Sequence, residues 1–195
     1  MFYFPCLLAQ FRLCKGLWCA LKLRLTLGAT KKVVDALVFY GDVWPGRCAF
    51  PDFSSQAGRR WWGDHMEDLI RTGVRGFWND MNEPSVFNVP TKTVDLDVIH
   101  NDGGLQTPHT KNHNVYGLQM TRASYEGALR HNPAERPFVL TRASYAGGQR
   151  YSAAWTGDNV ASWEHLGLAL TMCLNFGISG QPFCGSDIGG FIGYP

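Results

Sequence analysis

The sequence predicts an α/β fold in which a parallel sheet carries helices on its outside. Three observations point there. Apolar, β-branched runs alternate with amphipathic stretches along residues 33–195. Turn signals rich in Gly, Pro, Asp and Asn separate them. An acidic residue or an arginine stands just past each of the strand-like runs: Asp42, Asp80, Arg142, Asp158 and Asp187. A length of 195 residues holds one domain, or one and part of a second.

The elements follow in order. Residues 33–40 (VVDALVFY) form an apolar strand candidate ending at Gly41, and residues 42–53 carry two Pro and a Gly and read as a loop. Ser54 or Ser55 can cap a helix over residues 56–72, where Trp62, Met66 and Ile70 recur at four-residue steps on one face. Residues 74–78 are the second strand, and a long polar segment runs from Ser85 to His113. Residues 114–130 read as a helix with Val115, Leu118, Tyr125 and Leu129 on one side. Residues 137–141 and 152–156 are further strands, joined by about ten residues, short for a helical crossover between parallel strands. Residues 160–176 are apolar on most sides, which predicts a buried helix, and residues 181–186 are a last strand.

Residues 1–32 are different in kind. They hold six Lys/Arg and no Asp or Glu, whereas residues 33–195 hold twelve basic and sixteen acidic residues. The basic side chains lie within and after the apolar ones, unlike a signal peptide, and Arg12 and Lys15 interrupt any membrane span. This segment is expected to be unassigned, outside the folded domain, or to lie as a basic amphipathic helix on a membrane surface. The formal net charge of +2 gives no support to nucleic-acid binding. The six cysteines (Cys6, Cys14, Cys19, Cys48, Cys173, Cys184) form no Cys-x-x-Cys pair and read as free thiols.

In a closed β/α barrel the strand ends converge on one mouth, and in an open doubly wound sheet they line a crevice. A single Asp after a strand is usually a turn former or a helix cap. Several together, among Trp44, Trp78, Phe87, Trp155 and Phe191, suit acid/base or nucleophilic work on a neutral polar substrate such as a sugar.

The run Gly-Phe-Trp-Asn-Asp-Met-Asn-Glu-Pro-Ser-Val-Phe at residues 76–87 closely resembles the nucleophile signature of glycoside hydrolase family 31, the α-glucosidase family. Residues 43–53, 135–148, 154–159 and 183–191 resemble further blocks of that family in its order. The resemblance implies a partial (β/α)8 barrel over residues 33–195 with about five strands present. It also implies hydrolysis of α-glucosidic bonds by a retaining double displacement. Asp80 matches the nucleophile and Asp158 the general acid/base, a pair expected about 5–5.5 Å apart. Arg142 matches a residue that binds sugar hydroxyls. Trp78, Met81, Phe87, Trp155, Asp187 and Phe191 match positions around the sugar, and Glu83 reads as a partner of the site rather than a catalyst.

The resemblance implies an α-glucoside or oligosaccharide as substrate, no cofactor and no metal. The motif His109-x-x-x-His113, with His100 nearby, reads as a loop beside Pro108 rather than a zinc site. A family barrel is larger than this chain. Strands bearing a substrate-binding Asp and His are expected outside it, and the chain alone is expected to be inactive or very weakly active. The alternative is a non-catalytic carbohydrate-binding remnant, which has no physical need of both Asp80 and Asp158.

Overall fold

The computed structural model describes residues 22–27 and 32–194, with side chains from residue 38 onward. A four-stranded parallel sheet has the order β10-β9-β8-β5. Its strands are β5 (Gly76–Asn79), β8 (Phe138–Thr141), β9 (Ala153–Trp155) and β10 (Cys184–Gly185). Beside it stand an antiparallel sheet of β1 (Lys22–Leu27), β2 (Lys32–Val38), β6 (Ile99–Asp102) and β7 (Leu105–Pro108), in the order β2-β1-β6-β7, and the hairpin of β3 (Tyr40–Val43) with β4 (Gly46–Ala49).

The first expected barrel strand, residues 33–40, is therefore divided. Its body is β2, antiparallel to β1, and its last residue opens the β3–β4 hairpin that replaces the expected loop. Gly46, at φ 95°, supplies the turn that Pro45 introduces. β1 lies inside the stretch expected to be unassigned; residues 1–21 and 28–31, and the amphipathic reading placed on them, lie outside the described residues. The polar segment from Ser85 contains the β6–β7 hairpin, whose turn is Gly103-Gly104, both at positive φ.

The helix expected over residues 56–72 is two helices, α1 (Gln56–Asp64) and α2 (Glu67–Arg71). Ser55 is the cap, its hydroxyl accepting from the Gly58 N–H at 3.0 Å. At the break, His65 turns its ring Nδ1 onto the Trp61 carbonyl at 2.8 Å. Trp62, Met66 and Ile70 are all buried, as their spacing predicts, with Phe53, Phe77, Tyr116 and Met120 in the same core.

The helix α3 (His109–His131) begins five residues before its expected start. Pro108 precedes it in extended conformation, so His109 and His113 sit on a helix and not on a loop. Of the expected face, Leu118 is buried and Val115 and Tyr125 are half-buried, but the centre of the buried face lies elsewhere. Tyr116, Met120, Ala123, Ser124, Gly127 and Ala128 face inward, and Leu129 is exposed. Small residues are needed there because α1 crosses closely: a Cβ built on Gly63 meets the Gly127 Cα at 2.8 Å. Gly127→Ala gains about 1 kcal/mol of helix propensity but forces backbone apart, which costs about 1–3 kcal/mol or more. A net loss of about 1–2 kcal/mol, read as a lower urea midpoint, is expected; an unchanged midpoint contradicts this packing.

Under the β6–β7 hairpin lies a sealed polar chain. Asp52 accepts from the Asn101 N–H (2.6 Å) and from Ser54, and stands 3.2 Å from His100 Nδ1. His100 Nε2 lies 2.9 Å from His109 Nδ1. Both rings are at most 1% exposed. A carboxylate at one end fixes the directions: His100 donates from Nδ1 to Asp52 and accepts at Nε2 from His109 Nδ1–H, while His109 Nε2 is buried without a hydrogen-bond partner among the described residues. The chain ties the β4–α1 loop, the hairpin and the start of α3 together. Among the described residues no group of three His, Cys, Asp or Glu is arranged to hold a metal.

The apolar helix α4 (Trp163–Ile178) is not buried as predicted. Ala169 is its one buried residue, and Trp163, Leu170, Leu174 and Ile178 are exposed. The physical reason is local: β10 packs against one side, and no other described element covers the rest. The connection from β8 to β9 is as short as the sequence indicates, holding one 3-10 turn (Gly148–Arg150), yet the two strands are parallel neighbours. Among the described residues no helix is long and apolar enough to cross a membrane.

Candidate active site

Ladder register builds the site. β5 and β8 pair in parallel with Asn79 opposite Thr141, so the next residues, Asp80 and Arg142, leave the sheet side by side. β8 and β9 pair with Thr141 opposite Ala154, and Trp155 pairs with Gly185 of β10. Asp158 and Asp187 therefore emerge a few residues beyond the same sheet edge. The carboxyl ends of parallel strands are where side chains from separate strands meet.

Arg142 is the centre of the cluster. Its Nε is 3.1 Å from Asp80 Oδ1 and donates to Glu83 Oε1 at 2.6 Å. Its Nη2 donates to Glu83 Oε2 (3.3 Å) and to the Met81 sulfur (3.0 Å), and its Nη1 stands 4.0 Å from Asp158 Oδ2. Ser85 Oγ donates to the same Glu83 carboxylate at 2.6 Å. Asp80 and Asp158 thus flank one guanidinium.

The turn after β5 is held from beneath. Met81 has φ 60°, a left-handed conformation rare for a side chain of its size and one that stores strain. Asn82 then points inward, fully buried, and donates to Thr141 Oγ1 (3.0 Å) and the Gly117 carbonyl (3.4 Å). Gly117 of α3 is a close approach: a Cβ there would meet the Asn82 carbonyl at 2.9 Å. Asn82, Thr141 and Gly117 are supports that sequence reasoning missed. Each reads locally as an ordinary turn, strand or helix residue, and no periodicity marks it.

Electrostatics follow from this packing. Burial pushes the Asp80 carboxyl above its ordinary range, against the opposing charge of Arg142. Burial alone acts the same way on Glu83, but its hydrogen bonds from Arg142 and Ser85 hold it below the usual value. Burial and the Asp158 charge raise Asp187. Arg142 is raised because its three acidic neighbours outweigh its burial.

The aromatic expectations divide. Trp78 and Trp155 meet edge to face at 5.4 Å along the sheet edge. Phe87 instead packs against Trp44 at 5.0 Å, in contact with the β3–β4 hairpin. Phe191 is 62% exposed and joins through its backbone, donating to the Asn159 carbonyl at 2.8 Å. Asn159 in turn donates from its side chain to the Asp187 carbonyl. Asp42 lies on the β3–β4 hairpin and makes no ion pair with Arg142; its carbonyl accepts from the Phe87 N–H.

A family model for the TIM-barrel domain of glycosyl hydrolases family 31 matches residues 24–195. The chain is 51% identical over 160 residues to alpha-glucosidase 2 of Bacillus thermoamyloliquefaciens, covering 82% of the chain and 20% of that protein. It is 44% identical over 173 residues to neutral alpha-glucosidase AB of Sus scrofa, covering 87% and 18%. Among solved structures it is similar to the glucosidase II alpha subunit bound to alpha3-Glc2, at a TM-score of 0.78 and 41% identity over 91% of the chain and 18% of that one. The Family 31 alpha-glucosidase from Bacteroides thetaiotaomicron gives a TM-score of 0.73 at 42% identity, covering 92% and 27%. The chain spans about a fifth of the length of the curated relatives it matches.

Proposed function

The chain belongs to glycoside hydrolase family 31, and from that premise we propose that it supplies both catalytic carboxylates for retaining hydrolysis of α-glucosidic bonds. One observation supports pairing them: Asp80 and Asp158 flank a single guanidinium at the carboxyl ends of parallel strands, while which of the two is nucleophile and which acid/base follows from the resemblance of residues 76–87 and 154–159 to family blocks. Asp80 is the nucleophile. Its carboxylate attacks the anomeric carbon, the bond to the leaving oxygen breaks, and Asp158 gives its proton to that oxygen. Asp158, now ionised, takes a proton from water; the water oxygen attacks the anomeric carbon, and Asp80 departs as carboxylate.

The remaining residues bind and orient. Arg142 donates to sugar hydroxyls from its Nη1 edge, which its acidic partners leave least occupied. Trp78 and Trp155 offer apolar faces to the C–H side of the ring, with Met81 and Asp187 at its edges. An α-glucoside or short α-glucan is the substrate class.

A 5-fluoro-α-glucosyl fluoride tests the reading, because its electron-poor intermediate hydrolyses slowly. Because the chain alone is expected to be at best very weakly active, the expected result is a slow, partial gain of one glycosyl mass on the peptide containing Asp80. Saturable binding of glucose or maltose without any adduct would instead support the binding remnant.

A further inference from the structure

Arg142 is the one described side chain within ion-pair distance of three acids, and its distances are unequal. Glu83 takes it on two edges, Nε and Nη2, as a fork meeting a fork. Asp80 approaches the guanidinium at Nε (3.1 Å) and Asp158 at Nη1 (4.0 Å). Ser85 fixes the Glu83 carboxylate in turn. The guanidinium is therefore held by a residue with no part in bond making, and the two reacting carboxylates lie on either side of it.

That division matters because the negative charge changes place during the reaction. Before glycosylation Asp80 is ionised and Asp158 carries the proton. Afterwards Asp80 is an ester, Asp158 is ionised, and the proton has left with the aglycone oxygen. The net charge of Asp80, Asp158, Glu83 and Arg142 is the same in both states. A mobile cation would follow the charge, first pairing tightly with Asp80 and weakening it as a nucleophile, then with Asp158 and weakening it as a base.

We propose that Glu83 is a positioning residue that clamps Arg142 between the two acids, 3.1 Å from Asp80 and 4.0 Å from Asp158, so that one fixed cation serves ionised Asp80 in the first half-reaction and ionised Asp158 in the second. The proposal rests on the roles given above to Asp80 and Asp158. The charged groups facing the guanidinium are Asp80 and Glu83 from the β5 turn and Asp158 from the β9 turn. Asp187 from the β10 turn feels the Asp158 charge, and the Met81 thioether is neutral.

Two measurements on the 195-residue chain test this, each on Glu83→Gln and Glu83→Asp. The first is the titration of Asp80 by carboxyl 13C NMR, its signal identified by its absence in Asp80→Asn. Glu83→Gln removes a like charge and releases the guanidinium to Asp80, so the Asp80 midpoint is expected to fall. Glu83→Asp keeps a carboxylate on Arg142 and should move the midpoint much less, and its titration serves if the Gln variant does not fold. A midpoint that is unmoved or higher in Glu83→Gln, or a larger fall in Glu83→Asp than in Glu83→Gln, overturns the clamp.

The second is the rate of adduct formation at Asp80 with the fluorinated fluoride. It is expected to drop roughly a hundredfold in Glu83→Gln, the scale of a small misplacement at a reacting centre, with partial recovery in Glu83→Asp. Loss of the Glu83 charge lowers the Asp80 midpoint whatever its role, so recovery of the labelling rate in Glu83→Asp is what separates a clamp from a purely structural Glu83, which the shorter acid would not restore. Absence of any adduct in the unmutated chain counts against the nucleophile role of Asp80, while the titration can still overturn the clamp.

Discussion

Asp80→Asn is expected to abolish the glycosyl adduct, with the labelling rate falling by on the order of 10⁴ or more, the scale seen when a covalent nucleophile is removed. The amide keeps the shape of the side chain and its place beside Arg142, so the fold should be retained, as near-ultraviolet circular dichroism can check. What disappears is the anionic oxygen that forms the ester. Asp158→Asn should behave differently. Fluoride leaves without protonation, so this variant is expected to label at Asp80 nearly as fast as the unmutated chain. With an alkyl glucoside, whose leaving oxygen needs the proton, it should not react. Equal losses with both leaving groups would reverse or void the assignment of acid and nucleophile. Because burial holds the Asp80 carboxyl above its ordinary range, labelling should also fall away on the acid side at a higher pH than for an exposed aspartate.

A large effect on stability is expected from the sealed chain of Asp52, His100 and His109. Burial and the two neighbouring imidazoles, His100 and His113, depress His109 from 6.5 to about 3. An unfolded chain therefore takes up a proton at this residue near pH 6.5, while the folded chain refuses it until about pH 3. The sign follows: the contribution is fully present above pH 6.5 and is lost progressively as pH falls toward 3. The slope is about 1.4 kcal/mol per pH unit for one such proton.

Asp52 acts in the same direction at lower pH. Burial alone would raise it, but the hydrogen bonds from His100, Ser54 and Asn101 hold it below 3.8, so its contribution is present above that value and is lost below it. Urea midpoints between pH 7.5 and 4.5 should fall steeply for the unmutated chain. His109→Leu should be less stable at pH 7.5, because His100 loses its partner, yet its stability should depend less on pH. Parallel curves for the two proteins would show that His109 titrates alike folded and unfolded.

How much of this was legible in the sequence depends on how local each signal is. The Trp62–Met66–Ile70 face and the Ser55 cap were readable because spacing and side-chain chemistry act within one or two turns. So was the succession of carboxylates after the parallel strands, since each lies one to three residues past an apolar run. The β6–β7 hairpin was missed even though Gly103-Gly104 is a turn signal, because its strands are short and polar. The inward face of α3 was read only in part, Leu118 being buried and Leu129 exposed, for a different reason. Gly127 and Ser124 are buried by the close passage of α1, and no periodicity of large apolar residues records that. The exposure of α4 could not be read from its composition, which specifies an apolar surface and not what covers it. Within the site, Glu83 was placed near the chemistry by the motif. Its two-edged grip on Arg142 needed coordinates, since 59 residues separate the partners.

The pairing of Asn79 with Thr141 has a consequence for how such a site tolerates change. Side chains alternate between the two faces of a strand, so a slip of one residue between β5 and β8 would send Arg142 away from Asp80 and leave both carboxylates without their cation. The segment between α3 and β8, residues 132–137, can lengthen or shorten without touching that alignment, provided the two strands zip in the same phase. The catalytic geometry is thus quantised: it is carried by the ladder as a phase that is either right or wrong, rather than tuned gradually by the loops.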